Sequence, residues 1–272
     1  MMESLKELNK IVQKPDYKKK GNWMARHLVR DAALPVTWLF LHTNVTANQV
    51  TLMSLGIGFL GIAWLTVPAM SGFFIGVVLL QLWYLLDHVD GQIARYRKQV
   101  TLTGRFFDFL THHLIHAALF FGFGLYAYHE TGIAFFIKWG FLPALAITLF
   151  NLLHDVKYKT FYEKMSTHEK TSFYFKAAHV DNHLNQVKKG RFRDVFSWLH
   201  KSCEIHVVMN VLTIGAVLEG LVFKDFDVRI LCFIYYSAAA PLMAVTKTVY
   251  WISSRKIDND YERSIGEEPR GS

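Results

Sequence analysis

Six apolar stretches dominate the chain, at 49–67, 69–86, 106–127, 133–153, 206–223 and 229–252. Each approaches the roughly 20 residues that a helix needs to cross the hydrocarbon core of a bilayer. Inside lipid a backbone can satisfy its own hydrogen bonds by coiling into helices. The pattern therefore predicts an all-α integral membrane protein with six transmembrane helices. Small residues recur within the stretches, at Gly56, Gly58, Gly61, Gly122, Gly124 and Ala238 to Ala240, and they suit close helix packing. Residues 32–42 (AALPVTWLFLH) are apolar but too short to span. They predict an interfacial amphipathic helix ahead of the first span.

The polar segments set the organisation. Residues 1–31 are basic and hold no apolar run of the kind a signal peptide requires. The chain divides into a tail with its interfacial helix (1–48), a six-helix domain (49–254) and a second tail (255–272), whose terminal IGEEPRGS reads as disordered. Residues 154–205 form an insert between the fourth and fifth helices. There Phe173, Ala177 and Val180, then Val195, Phe196 and Leu199, recur at helical spacing. They predict one or two amphipathic helices on the membrane face.

Composition narrows the class. Of 272 residues, 52% are hydrophobic and 19% charged, which excludes a disordered chain and a long coiled coil. Two cysteines, Cys203 and Cys232, exclude a disulfide scaffold or a cysteine zinc module. The net charge of +8 suits nucleic acid or an anionic membrane surface. The positions of the charges decide between them. Eight Lys and Arg lie in the N-terminal tail, four around 95–105, ten in 154–205 and four after residue 252. The links on the other side, 67–69, 128–132 and 224–228, hold Lys224 alone. The positive-inside rule puts both termini in the cytoplasm, so the charge reads as topology in a bilayer, with no nucleic-acid partner. Trp64, Trp83, Tyr126 and Trp251, near helix ends, read as interface anchors.

Charged groups inside apolar helices are costly and mark function. The second helix ends LLDHVDGQIARYR, where Asp87, Asp90 and Ala94 share a face and Gly91 adjoins it. The third begins TGRFFDFLTHHLIH, where Gly104, Asp108 and His112 share a face. Both faces sit at the cytoplasmic ends of consecutive antiparallel helices and can meet. Three carboxylates and an imidazole would then converge, and a hard cation relieves their repulsion. Magnesium is the default because it also binds substrate phosphates. The glycines leave room for a phosphate or nucleotide, and Arg95 and Arg105 can pair with phosphate oxygens. These residues point to metal-assisted phosphoryl transfer at a cytoplasmic site.

Asp87-x-x-Asp90-Gly91-x-x-Ala94-Arg95, eight residues, then Gly104-x-x-x-Asp108 resembles the signature of the CDP-alcohol phosphotransferases. Thr46-Ala47-Asn48-Gln49-Val50-Thr51 is similar to the Thr-Pro-Asn-x-x-Thr at the start of that family's first helix, with Ala47 in place of Pro. The resemblance implies two Mg²⁺ or Mn²⁺ ions on Asp87, Asp90 and Asp108, and nucleotide contacts from Gly91, Ala94, Arg95, Gly104, Asn48 and Thr51. It also implies a homodimer and a reaction in which an acceptor alcohol or sugar phosphate displaces CMP from a CDP-alcohol. The family motif closes on a fourth Asp, a metal ligand and general base; here that position is His112.

His112 has three readings. It replaces the carboxylate as base and ligand, with an unperturbed pKa of about 6.5 that suits proton abstraction. Alternatively another group is the base, or the acceptor is already ionised. In the third, the site binds nucleotide and turns over poorly. Asp108, His112 and His116 also have the i, i+4, i+8 spacing of a zinc, iron or manganese site. His113 reads as a helix–helix hydrogen-bonding residue, His88 as off the ligand face, and His179 with His183 as a surface pair. Asn48 caps the first helix or touches nucleotide; Arg105 anchors the interface or clamps phosphate. Lys247 snorkels to the surface or contacts an acceptor phosphate. Chain size and helix number favour CDP-diacylglycerol with a soluble acceptor over a CDP-headgroup with a lipid alcohol. The rival classes are a catalytically weak CDP-alcohol binder and a transporter.

Overall fold

The computed structural model describes residues 4–14, 17–19, 22–166, 174–175, 191–221 and 227–266. Long helices α3 (Ala47–Leu65), α4 (Met70–Tyr96), α5 (Leu102–Thr131), α6 (Phe135–Ser166) and α9 (Val228–Ser253) are each long and apolar enough to cross a membrane. α8 (Ile205–Leu221) has 17 residues, about 25 Å at 1.5 Å per residue. It becomes a sixth span only when joined to α7 (Arg191–Ser202), from which it bends by 72°. A multi-pass membrane protein of five or six spans results.

The helices outrun the apolar stretches that announce them. α4 continues past residue 86 to Tyr96, and α6 continues past 153 to Ser166, so the start of the insert is a projecting helix. Val195, Phe196 and Leu199 lie on α7 as expected; Phe173, Ala177, Val180, His179 and His183 lie outside the described residues.

Close packing uses only some of the small residues. A Cβ on Gly124 would stand 2.6 Å from the Gly140 Cα, so α5 and α6 touch backbone to backbone there. Gly56 and Ala238 instead face outward, Gly56 with nothing within 4 Å of an added Cβ. Two of the expected interface anchors are core residues. Trp83 is 1% exposed and lies edge-on to His112 at 5.8 Å between ring centroids. Tyr126 is 2% exposed; its hydroxyl donates to Asp227, the N-cap of α9, while the Arg229 guanidinium stacks 3.8 Å from its ring. Burial of an aromatic body with its polar tip paired is as favourable as an interfacial seat.

Two terminal helices are additions to the predicted plan. α1 (Leu5–Val12) starts with a Ser4/Glu7 capping box and buries Leu8 and Val12 against Leu86, Val89 and Ile93 of α4. The expected interfacial helix begins earlier than residue 32, as a π-helical turn (Ala25–Val29) leading into α2 (Arg30–Leu41). Gln92 of α4 ties α2 down, accepting from Thr37 Oγ1 at 2.7 Å and donating to the Arg30 carbonyl at 2.9 Å.

At the other end, α10 (Lys256–Ser264) folds back on α6, and β2 (Ile265–Gly266) pairs antiparallel with β1 (Tyr174–Phe175). The first residues of the terminal octapeptide are thus ordered; 267–272 lie outside the described residues. Asp260, 3% exposed, accepts from Lys157 at 2.8 Å and Lys256 at 2.7 Å. Burial pushes its carboxyl up, but the hydrogen bonds and charges of the two lysines outweigh that and hold it below the usual carboxylate range. Asp260→Ala is expected to strand buried Lys157 and loosen α10 by about 3–5 kcal/mol, read as earlier denaturation of the C-terminal helix. In the wild type the lowered pKa makes this contribution complete above the unfolded value near 3.9. It is lost as pH falls through the folded value, which amide exchange in α10 would follow.

Candidate active site

Local structure explains how the motif residues meet. Thr46 N-caps α3, accepting from the Gln49 amide at 3.3 Å while Gln49 Oε1 accepts from the Thr46 amide at 2.8 Å. The cap is thus Thr46 rather than Asn48, which leaves the Asn48 side chain beside Gly104. One turn on, Thr51 Oγ1 donates to Asp90 Oδ2 at 2.6 Å and fixes α3 to α4. Thr101 caps α5, so that helix begins just after the basic turn and carries Gly104, Asp108 and His112 back past α4.

The result is a cavity of about 270 Å³ between α3, α4 and α5. Asp87, Asp90, Gly91, Ala94, Arg95, Gly104, Arg105, Asp108, Asn48 and Thr51 all line it. Both glycines leave it room: an added Cβ would crowd Arg95 Nη1 at 3.1 Å at Gly91, and Thr101 Oγ1 at 3.1 Å and Asn48 Oδ1 at 3.2 Å at Gly104.

His112 Nε2 lies 2.9 Å from Asp87 Oδ1 and 3.4 Å from Asp108 Oδ1. The ligand atoms of Asp87, Asp108 and His112 all fall within 4.8 Å of one another, so these three can hold a metal ion. Asp90 stands outside that group, and its Oδ2 accepts from Thr51. The cluster therefore joins two of the three expected aspartates with the histidine. His116 is also outside it, against the i, i+4, i+8 metal reading. His88 turns to its own helix, 2.9 Å from the Tyr84 carbonyl, and His113 bridges helices through Asp155 at 2.9 Å, as expected.

Lys247 neither reaches this cavity nor snorkels. It is 4% exposed, with its Nζ 3.4 Å from the Phe150 carbonyl and 3.8 Å from the Phe150 ring centroid. Its face of α9 points into the bundle, where an aromatic ring and a carbonyl replace water.

Gln13, Lys14 and Arg30 also line the cavity, and motif searching gives no sign of them. The Arg95 guanidinium donates to the Val12 carbonyl at the end of α1, which holds Arg95 over Gly91. Burial, then the nearby guanidinium groups of Arg95 and Arg30, lower the Lys14 ammonium below its usual pKa. This crowding of cations beside the aspartates makes a seat for a phosphate-bearing ligand.

The CDP-alcohol phosphatidyltransferase family model matches residues 44–188, more than half of the chain. Among solved structures, the fold is similar to that of Mycobacterium tuberculosis phosphatidylinositol phosphate synthase (PgsA1), determined with CDP-DAG bound. The TM-score is 0.51 at 14% identity, over 90% of this chain and 98% of that one. At that identity the likeness establishes the fold. Comparison with curated protein sequences gives no match.

Proposed function

Because the chain belongs to the CDP-alcohol phosphatidyltransferase family, we propose that it moves a phospho-alcohol, phosphatidyl or phospho-headgroup, from a CDP-alcohol to an acceptor hydroxyl and releases CMP. The observation that carries this reading is the Asp87–Asp108–His112 cluster at the edge of a cavity lined by every motif residue except His112.

The residues divide the work. Gly91 and Gly104 admit the nucleotide diphosphate, and Asn48 and Thr51 border it from α3. Arg95, held by Val12, and Arg105 present positive charge to its phosphate oxygens. Asp87 and Asp108, with His112, would hold a divalent ion, and Asp90 would serve a second. Such ions, when bound, neutralise charge on the diphosphate and on departing CMP. Two carboxylates suit Mg²⁺, and the imidazole shifts preference towards Mn²⁺.

His112 takes the acceptor's proton when its lone pair is not given to the ion, the two roles being exclusive for a neutral imidazole. Asp87 orients its ring through the 2.9 Å contact at Nε2, as a carboxylate orients a catalytic imidazole. The distribution of Lys and Arg supports a site and both termini on the cytoplasmic side.

A second reading has one observation in its favour. His112 already bonds both carboxylates of the cluster, which is also how a closed, weakly catalytic nucleotide-binding site would look. The deciding experiment supplies purified protein in lipid with Mg²⁺ or Mn²⁺, a panel of CDP-alcohols and pooled acceptors. CMP release that depends on one donor is the expected result. Donor binding without CMP, across both metals and all acceptors, would establish the binder instead.

A further inference from the structure

His112 borders a second cavity, of about 240 Å³, between α5 and α6. Asp87 and Asp108 line the first cavity and not this one; His112 lines this one and not the first. The cluster thus stands between two spaces. Phosphoryl transfer places the attacking and leaving oxygens roughly in line, on opposite sides of the phosphorus. With CMP seated among the glycines of the first cavity, the attacking hydroxyl arrives from the α5/α6 side.

A polar group lies just behind the largely apolar lining of this groove. Asn151 Nδ2 donates to His116 Nδ1 at 3.1 Å, which places the imidazole proton on Nε2. That Nε2 is buried and has no hydrogen-bond partner, a costly state for a donor. A small outward turn of the ring would bring it to an oxygen lodged in the groove. His113, held by Asp155, and His154 also border the groove.

The rim is apolar as well. Phe109, which lines the groove, is 57% exposed, and Leu114 and Leu152, next in sequence to His113 and Asn151, are exposed as well. Both helices are membrane spans by length and hydropathy. The groove therefore opens sideways, onto a surface bathed by lipid chains.

We propose that this groove binds the acceptor, and that the acceptor is a lipid alcohol: a hydroxyl at headgroup depth whose acyl chains remain in the bilayer beside Phe109. This rests on the transferase reading above, and it reverses the substrate assignment that chain size favours. The donor then carries the water-soluble headgroup. The acceptor oxygen forms the new bond to phosphorus and the phosphorus–oxygen bond to CMP breaks. The electron pair leaves on CMP and the hydroxyl proton passes to His112.

The test uses full-length protein in liposomes. One arm offers CDP-choline or CDP-ethanolamine with dioleoylglycerol. The other offers CDP-dioleoylglycerol with glycerol 3-phosphate, inositol phosphate or serine. CMP release confined to the first arm is expected. His116→Leu and Asn151→Leu should raise the KM for dioleoylglycerol at least tenfold, with donor Kd unchanged within twofold. His116→Gln, which keeps an N–H donor, should restore most of the affinity. CMP release from the second arm, alone or equally with the first, overturns the proposal, as does a dioleoylglycerol KM indifferent to both leucine variants.

Failure of both arms with donor bound, or failure to bind donor at all, defeats the transferase reading, and the groove is then read by itself. A diazirine-bearing diacylglycerol should label residues 109–116 and 149–155, and His116→Leu should abolish that labelling. Labelling elsewhere, or disulfide cross-linking of two copies of the chain through Leu114→Cys or Leu152→Cys, overturns the proposal.

Discussion

Asp108→Asn and Asp87→Asn are each expected to lower CMP release by about 10³-fold or more, the scale on which a principal electrostatic group is lost from a reaction centre. Neither should unfold the protein. Asp108 has a half-exposed side chain, and Asn preserves its shape. Asp87→Asn replaces an ion-pair partner of His112 with an amide oxygen that can still accept at Nε2. The check is turnover against Mg²⁺ and Mn²⁺ concentration beside a thermal unfolding midpoint. Unchanged metal dependence in both variants would remove these residues from the metal site. Asp90→Asn supplies a contrast, because Asp90 is tied to Thr51 and lies outside the tight cluster. Ala in place of Asn would also remove the acceptor of the Thr51 hydroxyl, weaken the α3–α4 contact and so show in stability as well as in rate.

His112→Ala is expected to lower kcat by about 10²–10⁴-fold, the usual worth of a positioned general base, and to weaken donor binding only as far as the ion it helps hold is lost. The imidazole lines the neighbouring groove rather than the nucleotide cavity, so the donor loses no direct contact. His112→Asp restores the motif residue of the family and should recover part of the rate. It should also shift metal preference towards Mg²⁺, since a carboxylate replaces an imidazole. Single-turnover CMP release, measured beside donor binding, separates the effects. An unchanged kcat in His112→Ala would take His112 out of proton transfer and leave the acceptor's own ionisation to drive attack.

The site was legible because helical spacing is a strong constraint. Asp87, Asp90 and Ala94 on one helix, and Gly104, Asp108 and His112 on the next, share faces whatever the rest of the fold does. What spacing leaves open is which oxygen each carboxylate offers to which neighbour. The withdrawal of Asp90 towards Thr51 depends on how α3 leans on α4, and no local pattern carries that.

Lys247 and Trp83 were misplaced for a related reason. Both lie on helices apolar all round, where sequence does not say which face points inward. Hydropathy also marks where lipid contact ends, not where a helix ends, which is why α4 and α6 run beyond their apolar stretches. α1 was invisible because eight residues make no stable helix alone; Leu8 and Val12 become a helix face when Val89 and Ile93 are there to receive them.

That small helix changes what counts as the minimal enzyme. The family model begins at residue 44, yet the motif arginine Arg95 is held by the Val12 carbonyl, and Gln13 and Lys14 form part of the wall around the diphosphate seat. A chain trimmed to the recognisable domain would keep every motif residue and lose one side of the pocket. Preparations that keep α1 and preparations that lack it are therefore expected to differ in donor affinity, so activities measured on one do not carry over to the other.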